Sequence, residues 1–141
     1  MFKTVVVGAD ASDTARRAVE AAAEIAKMSG ASLHIVTAYG PKSFNDSFLP
    51  NELRHMNVYG DVEALLQDLS FVARNKGVEA ETHGVAGAAA EAVIEYATKV
   101  NADLVVVGNR GMQGVRRALG SIPNSVAHGA PCSVAIIDTT E

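Results

Sequence analysis

The segment Leu104-Val105-Val106-Val107-Gly108-Asn109-Arg110-Gly111 takes an apolar run directly into a glycine-spaced loop. The apolar run predicts a buried strand. Eight residues then separate Gly111 from Gly120-Ser121-Ile122-Pro123-Asn124, in which Ser121 is suited to cap the next helix. A buried strand, a glycine-rich loop and a helix N-terminus in this order are typical of a site that binds an anion.

The glycines of this region matter because of what their backbone permits. Glycine admits positive φ and lets a ligand reach main-chain N–H groups with no Cβ in the way, while a helix N-terminus offers unpaired donors and partial positive charge. The alternative is that these glycines only shape turns. Four of them follow a buried strand, which favours a phosphate-binding site; they are Gly108, Gly111, Gly114 and Gly120.

The glycine spacing argues against two common nucleotide-binding motifs. The first strand–helix turn reads Gly8-Ala9-Asp10-Ala11-Ser12-Asp13-Thr14 and holds one glycine, whereas a dinucleotide fingerprint needs G-x-G-x-x-G. No glycine is followed by lysine, which a Walker loop requires. NAD binding and P-loop NTPase activity are therefore weak hypotheses.

Composition bounds the class of protein. A chain of 141 residues with 48% hydrophobic content is long enough for one core, so we expect a single domain over residues 1–141. The net charge of −4 and the 5% aromatic content argue against a nucleic-acid partner. No apolar run approaches the roughly 20 residues of a membrane helix, and the N-terminus lacks a signal-peptide pattern. We therefore expect a cytoplasmic protein that does not contact membranes.

Strand and helix patterns alternate along the chain, which predicts a parallel sheet covered on both faces. The least apolar strand, Val78–Val85, suits a sheet edge, and Cys132 is expected to be a buried strand residue rather than a nucleophile. The other predicted strands are Thr4–Val7, Leu33–Tyr39, Asp103–Val107 and Cys132–Ile137. The predicted helices are Asp13–Ser29, Asp61 to about Gly77, Ala88–Val100, and Ser121 to about His128. Ser12 is suited to cap the first helix and Gly30 to end it.

The segment from Gly40 to Gly60 interrupts this alternation. Its prolines and small polar residues predict a long connection, and connections of this length are uncommon in compact domains unless they are functional or mobile. Two interpretations stay open. It is either a lid over a ligand or an insertion with no role.

Ligands of open parallel sheets bind beyond the carboxyl ends of the strands. Asp10 lies at such an end, where it is suited to accept from ribose hydroxyls or help to hold Mg²⁺, or alternatively to satisfy the turn itself. Arg110, Arg116 and Arg117 are either phosphate partners or solvated side chains. The four histidines show no metal-ligand spacing, so no metal site is expected; they are His34, His55, His83 and His128.

With these residues in place, the chain resembles the universal stress protein family over essentially its whole length. The resemblance rests on Val5-Val6-Val7-Gly8-Ala9-Asp10-Ala11-Ser12, on Asp103 to Gly111, on Leu119-Gly120-Ser121-Ile122-Pro123-Asn124-Ser125-Val126 and on Ala130-Pro131-Cys132-Ser133-Val134. Gly108, Gly111, Gly120 and Ser121 match the G-x-x-G, spacer, G-[ST] motif of the nucleotide-binding branch. The spacer here holds eight residues where the usual form has nine.

The resemblance implies a Rossmann-like α/β fold of the adenine nucleotide alpha hydrolase type, with a five-stranded parallel sheet and helices on both faces. It also implies a homodimer formed through the last strand and a bound adenine nucleotide: ATP or AMP, with cyclic AMP preferred by some members. Mg²⁺ is a candidate companion of ATP, as the position of Asp10 suggests. The implied positions are Asp10 near the ribose, the Ala38 backbone near the adenine, Val107 and Gly108 along the base and sugar, and Gly111, Gly120, Ser121 and Ile122 around the phosphates. Gly8, Ala9 and Arg110 complete the set of predicted binding residues.

Three functions follow from these expectations. The first is a dimeric sensor or regulator in the stress response whose bound adenine nucleotide sets its conformation or partner. The second is a slow Mg²⁺-dependent ATP hydrolase, for which Asp10 is the only acid near the predicted site. The third is a nucleotide-free interaction protein, against which the glycine motif counts. Turnover separates the first two.

Overall fold

The computed structural model describes residues 1–10, 14–40, 58–109 and 122–139. Strands and helices alternate through these ranges. In chain order they are β1 (Thr4–Gly8), α1 (Ala15–Ser29), β2 (Ser32–Tyr39), α2 (Val58–Asn75), β3 (Ala80–Ala86), α3 (Ala89–Lys99), β4 (Leu104–Gly108), α4 (Ile122–Gly129) and β5 (Ser133–Ile137).

The five strands form one parallel sheet in the order β3-β2-β1-β4-β5. The chain starts in the centre at β1, winds outward through β2 to β3, and then crosses to β4 and β5 on the other side. The winding direction therefore switches between β1 and β4. In sheets of this kind the carboxyl ends of the two strands at the switch open a crevice.

Alternate side chains of the central strands fill two cores. One core lies under α1 and α2 and contains Val5, Val7 and Ile35, and the other lies under α3 and α4 and contains Val6, Val105 and Val107. Because both faces of the sheet are covered, the inner strands are apolar almost throughout. This confirms the predicted α/β class with helices on both faces.

Several predicted boundaries need correction. Helix α1 begins at Ala15 rather than Asp13, and Thr14 at its N-cap makes no side-chain capping bond; Ser12, the predicted cap, lies outside the described residues. Gly30 ends this helix in the left-handed conformation, with φ of 69°, as predicted. Strand β3 runs two residues later than its predicted start and lies at a sheet edge, as expected.

The connection after β2 is shorter than the predicted span up to Gly60. Helix α2 already begins at Val58, so residues 58–60 are helical, and Asp61 lies in the first turn rather than at the start. An acidic residue in the first turn is favourable to the helix dipole. Residues 41–57, on which the lid hypothesis depends, lie outside the described residues.

Cys132 lies just before β5 rather than inside it, and it is half-buried. Burial raises the pKa of its thiol, and the nearby Asp103 carboxylate raises it further. A raised pKa leaves less of the reactive thiolate at neutral pH. Its chemistry therefore agrees with a structural role. In the described ranges, no helix is long and apolar enough to cross a bilayer.

Candidate functional site

A cleft of about 490 Å³ lies at the carboxyl ends of β1, β2 and β4, where the winding direction switches. Its volume is in the range of about 300–1,000 Å³ that small-molecule sites occupy. Most of the lining is apolar or small, with a few polar groups. The lining residues are Gly8, Ala9, Asp10, Thr14, Ala15, Ala18, Val36, Ala38, Ala89, Val93, Val107, Gly108, Ile122, Pro123 and Thr139.

Seven predicted binding residues meet in this cleft although they come from distant parts of the chain. They are Gly8, Ala9, Asp10, Ala38, Val107, Gly108 and Ile122. The other four, Arg110, Gly111, Gly120 and Ser121, lie outside the described residues. Asp10 carries the one charged side chain among the described lining residues. Its carboxylate gives the cleft a strong acceptor for hydroxyl donors.

Three helices begin at the cleft. Ala15 is the first residue of α1, Ala89 the first of α3 and Ile122 the first of α4, and all three line the cleft. The topology causes this convergence, because each helix that follows a parallel strand starts at the strand's carboxyl end. Helix N-termini carry partial positive charge and unpaired N–H groups. Together they favour an anionic ligand, even though the one charged side chain among the described lining residues is an acid.

Ala38 presents a main-chain edge to the same cleft. Strand β1 ends at Gly8, which is paired with Val36, while β2 continues to Tyr39. The N–H of Ala9 donates to the carbonyl of Val36 at 3.0 Å. Since main-chain groups alternate in direction along a strand, the N–H and C=O of Ala38 face the same side as those of Val36, beyond the end of β1. An adenine edge needs one donor and one acceptor of this kind.

Gly8 and Gly108 are glycines for reasons of space. A Cβ on Gly8 would lie 2.7 Å from Val93 Cγ2, and one on Gly108 would lie 2.8 Å from Thr139 Cγ2. Neither residue is among the glycines with positive φ. Positive φ is therefore not the reason for glycine at position 8 or 108. Close packing of α3 and of the C-terminal segment over the strand ends explains both residues.

Comparison with known proteins agrees with this architecture. The model of the universal stress protein family matches residues 1–138. The chain belongs to the universal stress protein family. A universal stress protein of Mycobacterium tuberculosis is 37% identical over 144 residues, an alignment that spans 99% of this chain and 98% of the relative.

Two solved universal stress proteins are similar in structure. One, crystallised in complex with cAMP, has 38% identity and a TM-score of 0.83, with 99% of each chain covered. Another, from Archaeoglobus fulgidus in complex with dAMP, has 22% identity and a TM-score of 0.72 over 98% of each chain. The second likeness supports the fold. The Rossmann-like α/β fold expected for a universal stress protein is thus confirmed.

No pattern in the sequence indicated one wall of the cleft, which the segment after β5 forms through Thr139. Asn109 holds this segment: its Oδ1 accepts from the Thr139 N–H at 3.0 Å and from the Thr139 hydroxyl at 3.3 Å, and its own N–H donates to the Ile137 carbonyl at 2.9 Å. Thr139 is thereby buried, at 1% exposure, against Gly108. The contact joins positions 30 residues apart and no local pattern indicates it.

A second polar cluster brings together two of the four histidines, which show no metal-ligand spacing in the sequence. His34 of β2 and His83 of β3 lie side by side, with Nδ1 of the first 3.3 Å from Nε2 of the second. Burial lowers the pKa of His83, and the neighbouring His34 lowers it further. Burial also raises the pKa of Tyr96, with Glu81 adding to the effect. None of these four residues lines the cleft.

Proposed function

We propose that this universal stress protein binds an adenine nucleotide in the cleft at the carboxyl ends of β1, β2 and β4, and that the bound nucleotide sets its state as a sensor in the stress response. The observation that carries the proposal is the meeting of seven predicted nucleotide-binding residues in one cleft of suitable volume at the switch point of the sheet.

The described lining residues offer a suitable partner for each part of a nucleotide. The main-chain edge of Ala38 suits the adenine, and the small side chains of Ala9 and Val107 leave room for base and sugar. The Asp10 carboxylate suits the ribose hydroxyls. The convergent starts of α1, α3 and α4 suit the phosphate. The motif residues Arg110, Gly111, Gly120 and Ser121 would add main-chain donors and a guanidinium.

Cyclic AMP is the first nucleotide to test. The universal stress protein crystallised with cAMP covers 99% of this chain at 38% identity. Moreover, the described lining contains one acid, Asp10, and no described cation to balance a long polyphosphate. A ligand with a single phosphate charge suits such a lining better than ATP does. The larger negative charge of the ATP triphosphate would have to be balanced by Arg110 or by Mg²⁺.

A charge placed at Ile122 tests the position of the phosphate. Ile122 lines the cleft, begins α4 and is 46% exposed, so a polar residue there does not disturb the core. We expect Ile122→Asp to weaken cAMP binding by about three- to tenfold relative to Ile122→Asn, because the two variants lose the same apolar contact and differ by one negative charge. Isothermal titration calorimetry measures the difference.

Adenosine is the matched ligand control because it lacks the phosphate. Its affinity should be the same for Ile122→Asp and Ile122→Asn, whereas the difference should grow from cAMP to ATP with ligand charge. An aspartate in the first turn also favours the helix, so weaker binding cannot be attributed to loss of α4. Equal cAMP affinities in the two variants would place the phosphate elsewhere, and no binding of any adenine nucleotide by the unaltered protein would refute the proposed function.

The proposed sensor is a homodimer formed through β5. This strand forms one edge of the sheet and pairs with β4. An edge strand presents N–H and C=O groups that can pair with a second copy. Ile136 on this strand is a large apolar side chain with 40% exposure, as expected for a residue that a second copy would cover.

We expect Ile136→Lys to convert a dimer to a monomer in sedimentation velocity at micromolar concentration, since a lysine in the paired edge brings two like charges together. Phe71→Lys is the control. Phe71 is also a large exposed apolar residue, at 58%, but it lies on α2, which packs over β2 and β3 at the opposite side of the sheet. A monomeric unaltered protein, or a monomer from Phe71→Lys alone, would refute assembly through β5.

A further inference from the structure

Four side chains from three elements meet on the α3 face of the sheet, outside the cleft. His34 is paired in register with Glu81, and Val36 with His83, so His34, Glu81 and His83 project from the same face of the two strands. Tyr96 of α3 lies over them, with its hydroxyl 3.1 Å from His34 Nδ1 and 2.5 Å from His83 Nε2.

We propose that His34, Glu81 and His83 form a binding site for a divalent transition-metal ion of the zinc class, with the Tyr96 hydroxyl beside the fourth position. Two imidazoles and one carboxylate are a donor set that zinc takes in proteins. The proposal is independent of nucleotide binding, because the cleft is lined by other residues.

The distances between donor atoms fit one small ion. Zinc ligands lie about 2.0–2.2 Å from the metal, which places neighbouring ligands of a tetrahedron about 3.3 Å apart. Here His34 Nδ1 lies 3.3 Å from His83 Nε2 and 3.1 Å from Glu81 Oε2, and the remaining pair, His83 Nε2 and Glu81 Oε2, is 3.9 Å apart. A shift of a few tenths of an ångström in the Glu81 side chain completes the geometry.

The three proposed ligands differ in how far their side chains are exposed to solvent. The His34 side chain is 10% exposed, that of His83 31% and that of Glu81 71%. The inner histidine is thus held by the core while the outer carboxylate reaches solvent and gives an ion a path inward. A bound ion would join the edge strand β3 to β2. Since β3 carries mostly polar or half-buried residues, such a cross-link would stabilise the least apolar strand.

Zinc titration by calorimetry tests the site in the unaltered full chain without nucleotide. We expect about one Zn²⁺ per chain, and an affinity weaker by more than about 10- to 100-fold in His83→Ala and in Glu81→Gln, because the loss of an outer-shell partner alone costs about that much. His128→Ala is the matched control, because His128 is an exposed histidine on α4 that does not belong to the cluster, and its removal should leave zinc affinity unchanged. The exposed position of Glu81 ensures that Glu81→Gln folds even if a histidine variant does not.

Cobalt(II) absorption provides a second measurement, since tetrahedral coordination by nitrogen and oxygen gives strong visible bands that an adventitious surface ion does not. We expect these bands in the unaltered protein and in Ile122→Asp, and their loss in His83→Ala and Glu81→Gln. Absence of zinc binding, equal weakening by His128→Ala, or full affinity in Glu81→Gln and His83→Ala would each overturn the proposal. Retained zinc binding alongside absent nucleotide binding would refute the proposed function alone.

Discussion

Replacing Asp10 by alanine is expected to weaken cAMP binding by about 10- to 100-fold, because a hydrogen bond to a charged acceptor is worth about 1.5–3 kcal/mol. Asp10 follows β1 directly, and the bond from the Ala9 N–H to the Val36 carbonyl fixes the main chain just before it. An ionised carboxylate only accepts hydrogen bonds, and the 2′-hydroxyl is the one ribose donor that cAMP retains. Calorimetry with cAMP measures the loss.

The 2′-deoxy analogue of cAMP is the decisive control. If Asp10 binds the 2′-hydroxyl, the analogue binds the unaltered protein about as weakly as Asp10→Ala binds cAMP, and the variant loses nothing further with the analogue. Asp10→Asn keeps an acceptor of the same shape without the charge, so we expect its loss to be smaller. Tighter cAMP binding by Asp10→Ala would mean that the acid faces the phosphate, and the assignment of the ribose would be wrong.

The Asp10→Asn variant also distinguishes a sensor from an ATP hydrolase. An ATP hydrolase needs a base aligned with water, and Asp10 is the one acid in the described cleft lining. A sensor needs only a state that depends on the ligand. Steady ATP turnover that Asp10→Asn abolishes while binding persists would identify an enzyme.

Sequence patterns predicted the fold because a doubly wound sheet follows from local rules. Buried parallel strands give runs such as Val5 to Val7 and Leu104 to Val107, and helices between them keep one apolar face. Once the alternation is known, the carboxyl ends of β1, β2 and β4 must share one edge. Seven residues of the predicted site came together for this reason, although Gly8 and Ile122 are far apart in sequence.

Other features depend on distances that a sequence does not contain. His34 and His83 are 49 positions apart, and only the β2–β3 register, which pairs Val36 with His83, places them together. A shift of the β2–β3 pairing by one residue would turn the two proposed ligands on β3, Glu81 and His83, to the opposite face of the sheet. Likewise, the burial of Thr139 depends on Asn109 and Gly108 of another strand. Metal-ligand spacing rules detect local ligand pairs and miss sites of this kind.

Of the substitutions considered, Gly8→Ala has the largest expected effect on the free energy of unfolding, because of what surrounds Gly8. Sequence reasoning explained strand-end glycines by ligand access, whereas the structure shows α3 packed against the end of β1. A Cβ on Gly8 would lie 2.7 Å from Val93 Cγ2, a distance that requires movement, and Val93 is 3% exposed in the core under α3. We therefore expect Gly8→Ala to lower the free energy of unfolding by about 1–3 kcal/mol, as overpacking does elsewhere.

A double-mutant cycle isolates this contact. Val93→Ala removes the methyl group that the new Cβ meets, so Gly8→Ala should cost little in that background, and the coupling energy should reach about 1 kcal/mol or more in urea unfolding. Val62→Ala is the matched control: it removes the same atoms from a residue 6% exposed in the other core, and its effect should add to that of Gly8→Ala. Additivity with Val93→Ala as well would mean that the cost of Gly8→Ala does not arise at Val93. A Gly8→Ala variant of near-normal stability that loses nucleotide affinity alone would mean that Gly8 is required for the ligand rather than for packing.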